Sequence, residues 1–179
     1  TTFLQEKFGG EVVHMGVDNE WFKPRPVDHT EAFRRELGLA EKKLIVFGGV
    51  VRPHKGIELI LDALVRLARP EARLVIVGPR NEHVDELLRT TSYAPYVVAL
   101  GAQPKQRMPD FLDLADLMVL PLRDSLLARS QMPCKVFEAM AMAKPVVGTA
   151  ISDLPLVLAD CGRVVPPGDV AALADAIGY

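Results

Sequence analysis

The sequence is poor in the residues that several kinds of chemistry require. It has only two cysteines, Cys134 and Cys161. They lie far apart and lack the paired spacing of a zinc site or redox dithiol, so two reduced thiols are expected. There is no His-Glu-x-x-His motif and no Asp-x-Asp pair, and His14, His29, His54 and His83 are scattered. No bound metal is therefore expected. The formal net charge is only -2, too small a field to draw the chain onto nucleic acid or anionic lipid. Any anion site must be local. No apolar run is long enough for a membrane span and no signal peptide is visible. Internal repeats and low-complexity tracts are also lacking.

What is present suits a globular domain. Hydrophobic residues make up 49% and charged residues 25% of 179. A chain of this length buries about 70% of its unfolded surface. From residue 44 onward, short apolar runs alternate with helical patterns. The runs at 44–50, 73–77, 96–100, 117–120, 145–149 and 162–165 read as strands. Between them, Ile57, Ile60, Leu61, Leu64 and Leu67 recur at helical spacing, and 82–89, 106–115, 133–143, 153–158 and 170–177 also read as helices. Runs that are apolar throughout are buried on both faces, and intervening helices make the sheet parallel and doubly wound. The expected fold is therefore α/β and Rossmann-like, with ligands at the carboxyl ends of the strands. In the first forty residues a strand is expected at 11–15, a Pro-rich connection at 23–28 and a helix at 29–37. The chain opens in a helical pattern and stops soon after another begins, so further segments are expected beyond both ends. We expect one domain over 1–179, with a lead-in segment and first helix at 1–42 and a Rossmann-like core at 43–179.

Two segments concentrate chemistry. In the first, Gly48-Gly49-Val50-Val51-Arg52-Pro53-His54-Lys55-Gly56 joins a strand to a helix. Glycines admit close backbone approach, and a helix start favours an anion. Arg52 and Lys55 repel that positive helix end unless something negative sits between them. A diphosphate would, but solvated surface cations are the other reading. The pattern is not a Walker A loop, which ends in Gly-Lys-Ser/Thr. In the second, Glu138 is the one carboxylate in a helix that is apolar nearly all round from Val136 to Ala143. An unpaired buried carboxylate costs several kcal/mol, by order of magnitude, so it needs a partner. Lys135, three residues earlier, is one partner. A pair of vicinal ligand hydroxyls, as on ribose, is the alternative. Asp113 and Asp116 read as helix-end polar residues, and Trp21 and Phe22 as packing groups.

Taken in order, five segments resemble the C-terminal domain of retaining, family-4 GT-B glycosyltransferases. They are His14-Met15-Gly16-Val17-Asp18 with Phe22-Lys23-Pro24; Arg52-Pro53-His54-Lys55-Gly56; Ala115-Asp116 through Leu120-Pro121; Met132 to Ala141 with Lys144-Pro145-Val146-Val147; and Gly162 with Pro166-Pro167-Gly168-Asp169. The resemblance implies a donor site for a nucleotide diphosphate sugar, UDP- or GDP-linked, and no cofactor. It implies that Lys55, assisted by Arg52, binds the diphosphate and offsets charge on the leaving group. Glu138 would accept from ribose hydroxyls. Gly48 and Gly49, with backbone amides from Pro133, Cys134, Lys135 and Val136, would approach the phosphates. Leu100 and Gly101 would lie near the base, and Ser130 or Gln131 near the sugar.

Two positions depart from the family pattern. Val50 stands where an arginine usually follows the loop glycine, and Ser130 where a second glutamate usually precedes Glu138 by eight residues. The resemblance further implies a missing N-terminal GT-B domain that carries the acceptor site, so the chain alone is expected to bind donor without turnover. It implies a cytoplasmic setting, with any peripheral membrane contact made through the absent part, and no nucleic-acid partner. A non-catalytic nucleotide-binding half and a nucleotide-sugar epimerase of GT-B form remain as alternative readings.

Overall fold

The computed structural model describes residues 1–178. In chain order the elements are α1 (Thr2–Phe8), α2 (Val27–Glu36), β1 (Lys43–Gly48), α3 (Ile57–Leu67), β2 (Ala72–Val77), α4 (Glu82–Arg89), β3 (Val97–Gly101), α5 (Met108–Asp113), β4 (Met118–Leu120), α6 (Leu126–Ser130), α7 (Cys134–Ala141), β5 (Val146–Thr149), α8 (Leu154–Val157), β6 (Gly162–Val165) and α9 (Val170–Gly178). Single 3-10 turns occupy Pro53–Lys55 and Lys105–Arg107.

The strands form two three-stranded parallel sheets, ordered β1-β2-β3 and β4-β5-β6. One parallel bridge, Ile45 to Leu117, joins β1 to β4. The combined order is β3-β2-β1-β4-β5-β6, and it reverses between β1 and β4. Successive residues point to opposite faces of a strand, which divides the core. Leu44, Val46, Val75 and Val77 pack on one face with residues of α2, α5, α7 and α8. Ile45, Phe47, Leu74 and Ile76 pack on the other with residues of α3, α4 and α9. This is the doubly wound α/β architecture that the uninterrupted apolar runs imply.

Helix limits follow local chemistry. The apolar residues of α3 bury one broad face, and Ala68 ends it in the left-handed region (φ 50°). Asn81 caps α4 by accepting from the Val84 amide at 3.0 Å. The structure corrects several sequence expectations. Residues 11–15 form no strand, having no neighbouring strand to pair with. In the first helix the Thr1 hydroxyl accepts from the Leu4 amide at 3.4 Å. The helix expected at 29–37 starts two residues earlier, directly after Pro26. The five-residue α6, capped by Ser125, lies in a loop that the apolar periodicity did not mark. The last helix runs to Gly178, and Tyr179 lies outside the described residues. Among the described residues no helix is long and apolar enough to cross a membrane.

Before β1, the chain is fastened to the core by polar contacts. Asp113, only 4% exposed, pairs with Lys144 at 3.0 Å and accepts from the Thr30 hydroxyl of α2. Asp116 pairs with Arg34 of α2 at 3.1 Å and accepts from the Leu44 amide at 2.8 Å. Phe33 meets Phe111 edge to face, with centroids 5.1 Å apart. The two aspartates thus do more than finish a helix. They tie α2, α5 and β1 together.

Removing one partner of a buried ion pair leaves the other uncompensated. Asp113→Ala is expected to lower stability by about 3–5 kcal/mol, read as a lower midpoint in urea with an unchanged slope. A loss under about 1 kcal/mol would show that the pair behaves as an exposed one.

Candidate functional site

Between the carboxyl ends of β1 and β4 lies a cavity of about 410 Å³. Phe47, Gly48, Gly49, Val50 and Lys55 form one wall, Val119 to Leu122 a second, and Gln131 to Lys135 a third, with Met15 reaching in from the lead-in segment. It sits at the point where the strand order reverses, the position that binds ligands in such sheets. A larger cavity, about 620 Å³, lies at the opposite end, among the amino ends of the strands. The carboxyl-terminal turn of α3 borders it, and that end carries partial negative charge that disfavours an anion. It also lies away from the carboxyl ends of the strands, where such sheets bind ligands, so its size does not make it the phosphate site.

The glycines serve close approach. Gly49 lies at φ 125°, and a Cβ on Gly78 would come within 2.0 Å of the Gly49 carbonyl. The Gly49 amide donates to Val77 at 2.8 Å, and the Gly78 amide to Gly101 at 3.0 Å. Three glycines thereby align on neighbouring strand ends. The buried Val51 then anchors the loop, and Asn81 donates to its carbonyl at 2.9 Å. Gly56, at φ 63°, starts α3 against Pro121, whose carbonyl would stand 2.1 Å from an added Cβ.

Cations face this glycine ledge. Lys55 is half-buried. Burial lowers its pKa first, the ammonium of Lys135 next, and Arg52 also contributes; the Cys134 sulfur acts in the opposite direction. The Lys135 side chain runs past both loop glycines, its Cε 4.0 Å and 3.8 Å from a Cβ built on Gly48 and Gly49. Its Nζ lies 3.0 Å from Glu138 Oε2 and 3.4 Å from Oε1. The pKa of His54 is lowered by burial first, then by Lys55 and Arg52, which favours the neutral imidazole. Cys134 and Lys135 open α7, where the first amides have no acceptor within the helix. Two ammonium groups and a helix start thus converge on one crevice, and one carboxylate partly balances them. This arrangement attracts a multivalent anion.

The structure places the other residues singled out from sequence less uniformly. Arg52 is exposed on extended backbone before the 3-10 turn and does not line the cavity. Glu138 lies behind Lys135, its side chain 15% exposed. Val136 is fully buried, and its amide donates to Pro133 at 3.2 Å. Leu100 and Gly101 end β3, beyond Gly78. The Ser130 hydroxyl donates to Leu126 at 2.7 Å within α6. Met15, Pro121, Leu122 and Met132 line the cavity although nothing in their spacing marked them as site residues. No group of three or more potential metal ligands occurs among the described residues.

Comparison with known proteins identifies the family and the fold. The family model described as glycosyl transferases group 1 matches residues 41–179. The D-inositol 3-phosphate glycosyltransferase of Mycobacteroides abscessus is 32% identical over 178 residues, covering 94% of this chain and 38% of that protein. The GDP-mannose-dependent alpha-(1-6)-phosphatidylinositol monomannoside mannosyltransferase of Mycolicibacterium smegmatis is 30% identical, covering 91% and 44%. The chain thus spans about two-fifths of the length of these relatives. Among solved structures, Anabaena HepE in complex with UDP-glucose superposes with a TM-score of 0.77 at 25% identity, covering 94% of this chain and 46% of that one.

The proximity of the two ammonium groups is open to direct measurement. With Lys135→Ala, the Lys55 pKa is expected to move back toward its ordinary value while staying below it, because burial remains the larger cause. NMR of isotopically dimethylated lysines reads this shift. An unchanged Lys55 titration in that variant would mean that the two groups do not share the crevice.

Proposed function

The chain belongs to the group 1 glycosyltransferases, as the carboxyl-terminal domain of a GT-B enzyme, and from that premise we propose that it binds the nucleotide diphosphate sugar donor for a retaining transfer. The observation that carries this reading is the pairing of Lys55 and Lys135 across a glycine-lined crevice at the start of α7. The sugar nucleotide named with HepE is of the class proposed, and a UDP- or GDP-linked donor is meant. Residues 1–42 act as the lead-in and residues 43–179 as the donor-binding core.

In the proposed step, the bond from the sugar's anomeric carbon to the diphosphate oxygen breaks. The nucleotide diphosphate leaves with the electron pair, and the acceptor hydroxyl's oxygen bonds to the anomeric carbon on the same face as its proton passes to the departing diphosphate. Lys55, supported by Arg52, and the amides at the start of α7 offset the charge that grows on the leaving group. Positive groups already in place do this without reorganising. Glu138 exchanges its contact with Lys135 for the ribose hydroxyls, releasing the Lys135 ammonium toward the phosphates. The donor set of ammonium groups and amides suits an anion, and we assign the site no resident cofactor. The acceptor binds mainly to the GT-B domain that the chain lacks, so the chain alone holds donor without turnover. With a lipid acceptor, like that in the mannosyltransferase relative's name, this half would work in the cytoplasm at the inner membrane face. A non-catalytic binding half is the second reading. It is favoured by Val50, an apolar side chain on the cavity wall, and by Ser130, whose hydroxyl is engaged within α6.

Calorimetry with UDP and GDP tests the reading. At least one is expected to bind, and Lys55→Ala or Glu138→Ala is expected to weaken binding about 10- to 100-fold, the worth of a charge-assisted hydrogen bond. Equal affinity of both variants and the unaltered chain for every nucleotide tried would refute the assignment.

The depressed Lys55 pKa adds a pH dependence with a definite sign. A bound diphosphate favours the ammonium, so binding takes up a proton. Affinity should be level below the free-state pKa, fall as pH rises through it, and level again above the bound-state value. Lys55→Arg keeps its charge throughout and should lack that slope. Identical slopes for the two proteins would remove Lys55 from the phosphate contacts.

A further inference from the structure

The walls of the crevice come from separate halves of the sheet. β1 and β4 share a single bridge, Ile45 to Leu117, and it lies toward their amino ends. At the carboxyl ends, the loop bearing Lys55 and the loop after β4 need a fastening of their own. The structure provides three contacts, all within three residues of Lys55. The Gly56 α-carbon lies against the Pro121 carbonyl, with no room for a side chain. The Arg123 amide donates to the His54 carbonyl at 3.1 Å. The Arg123 guanidinium meets Glu58 Oε1 through Nε and Nη2, each at 2.6 Å. Glu58 stands in the first turn of α3, and its second oxygen faces His83 Nε2 of α4 at 3.8 Å. Neither Arg123 nor Glu58 lines the cavity.

We infer that Arg123 and Glu58 are positioning residues that hold the Lys55 loop against the loop after β4 and so set where the Lys55 ammonium meets the donor diphosphate. This inference deepens the proposed donor-binding function and rests on it. The pair acts through Lys55 and touches neither donor nor acceptor. Two of the three contacts are made by the backbone and persist whatever residue stands at 123. The ion pair is the adjustable one. It fixes the angle at which α3 leaves the loop, because it joins the helix's first turn to a strand end on the other half of the sheet. Arg123 is exposed and Glu58 only partly so, so losing the pair should cost a modest part of global stability and be felt chiefly in binding.

The test is calorimetry of UDP on the full chain, with thermal melting of every variant. Arg123→Ala is expected to melt within a few degrees of the unaltered chain and to bind UDP about tenfold more weakly. It should also move the Lys55 titration toward the ordinary lysine value as the loop loosens. Arg123→Lys should recover part of both effects. Arg129→Ala serves as the control, because Arg129 pairs with Asp124 at the same 2.6 Å within its own loop and spans nothing; it should bind UDP normally. Should Arg123→Ala fail to fold, Glu58→Gln keeps the shape, halves the pair, and should give the same loss of affinity.

Unchanged affinity in Arg123→Ala or in a folded Glu58→Gln, or an equal loss in Arg129→Ala, overturns the positioning role while leaving the donor site intact. Failure of the unaltered chain to bind any nucleotide diphosphate overturns the donor-binding reading, and the positioning role with it.

Discussion

β1 and β4 meet at a single bridge, Ile45 to Leu117, and diverge beyond it. The crevice this leaves determines what the domain can hold. Helices cover both faces of the joined sheet, so both faces are already packed where the gap opens. The backbone at its rim is reduced to glycine where it must approach: Gly78 against Gly49, and Gly56 against Pro121. A side chain at either position would collide with a carbonyl. The gap is therefore flanked by packing on both sides, with the Gly48–Gly49 main chain on one wall and the Lys55 and Lys135 side chains to meet polar oxygens.

Charge distribution supplies the second part of the argument. Lys55 is half-buried beside Lys135, and both stand where the positive end of α7 opens. Such an arrangement costs free energy in the empty domain. Desolvation disfavours the Lys55 ammonium, and the charge of Lys135 repels it. Glu138 offsets part of that cost through Lys135. In the proposed complex a diphosphate offsets the rest, which links the depressed Lys55 pKa to affinity for the donor. The same logic sets apart the larger cavity at the amino ends of the strands, which the carboxyl terminus of α3 borders.

Much of this was legible in the sequence. The uninterrupted runs at 73–77 and 146–149 could belong only to strands covered on both faces, and α3 and α4 lie where apolar spacing puts them. The glycine loop with its cations and the helix with a lone carboxylate were visible as unusual local chemistry. Other features were not. The strand expected at 11–15 has the right composition but no neighbour. Asp113 and Asp116 have the spacing of ordinary helix-end residues, and nothing local tells that they clamp α2 through Thr30 and Arg34. Ser130 and Arg52 stand at suggestive positions, yet one is engaged within its own helix and the other is exposed outside the cavity lining.

The sequence alone determined the fold class, the succession of strands and most helices along the chain from residue 44 onward, and which two segments concentrate unusual charge, because burial periodicity and backbone chemistry act over a few neighbouring residues. Only the tertiary structure decided how those segments face each other. It set Lys135 over the glycines and joined Arg123 to Glu58 across 65 positions. Distances between side chains remote in sequence depend on strand order and on how far two strands diverge, and no local pattern encodes either.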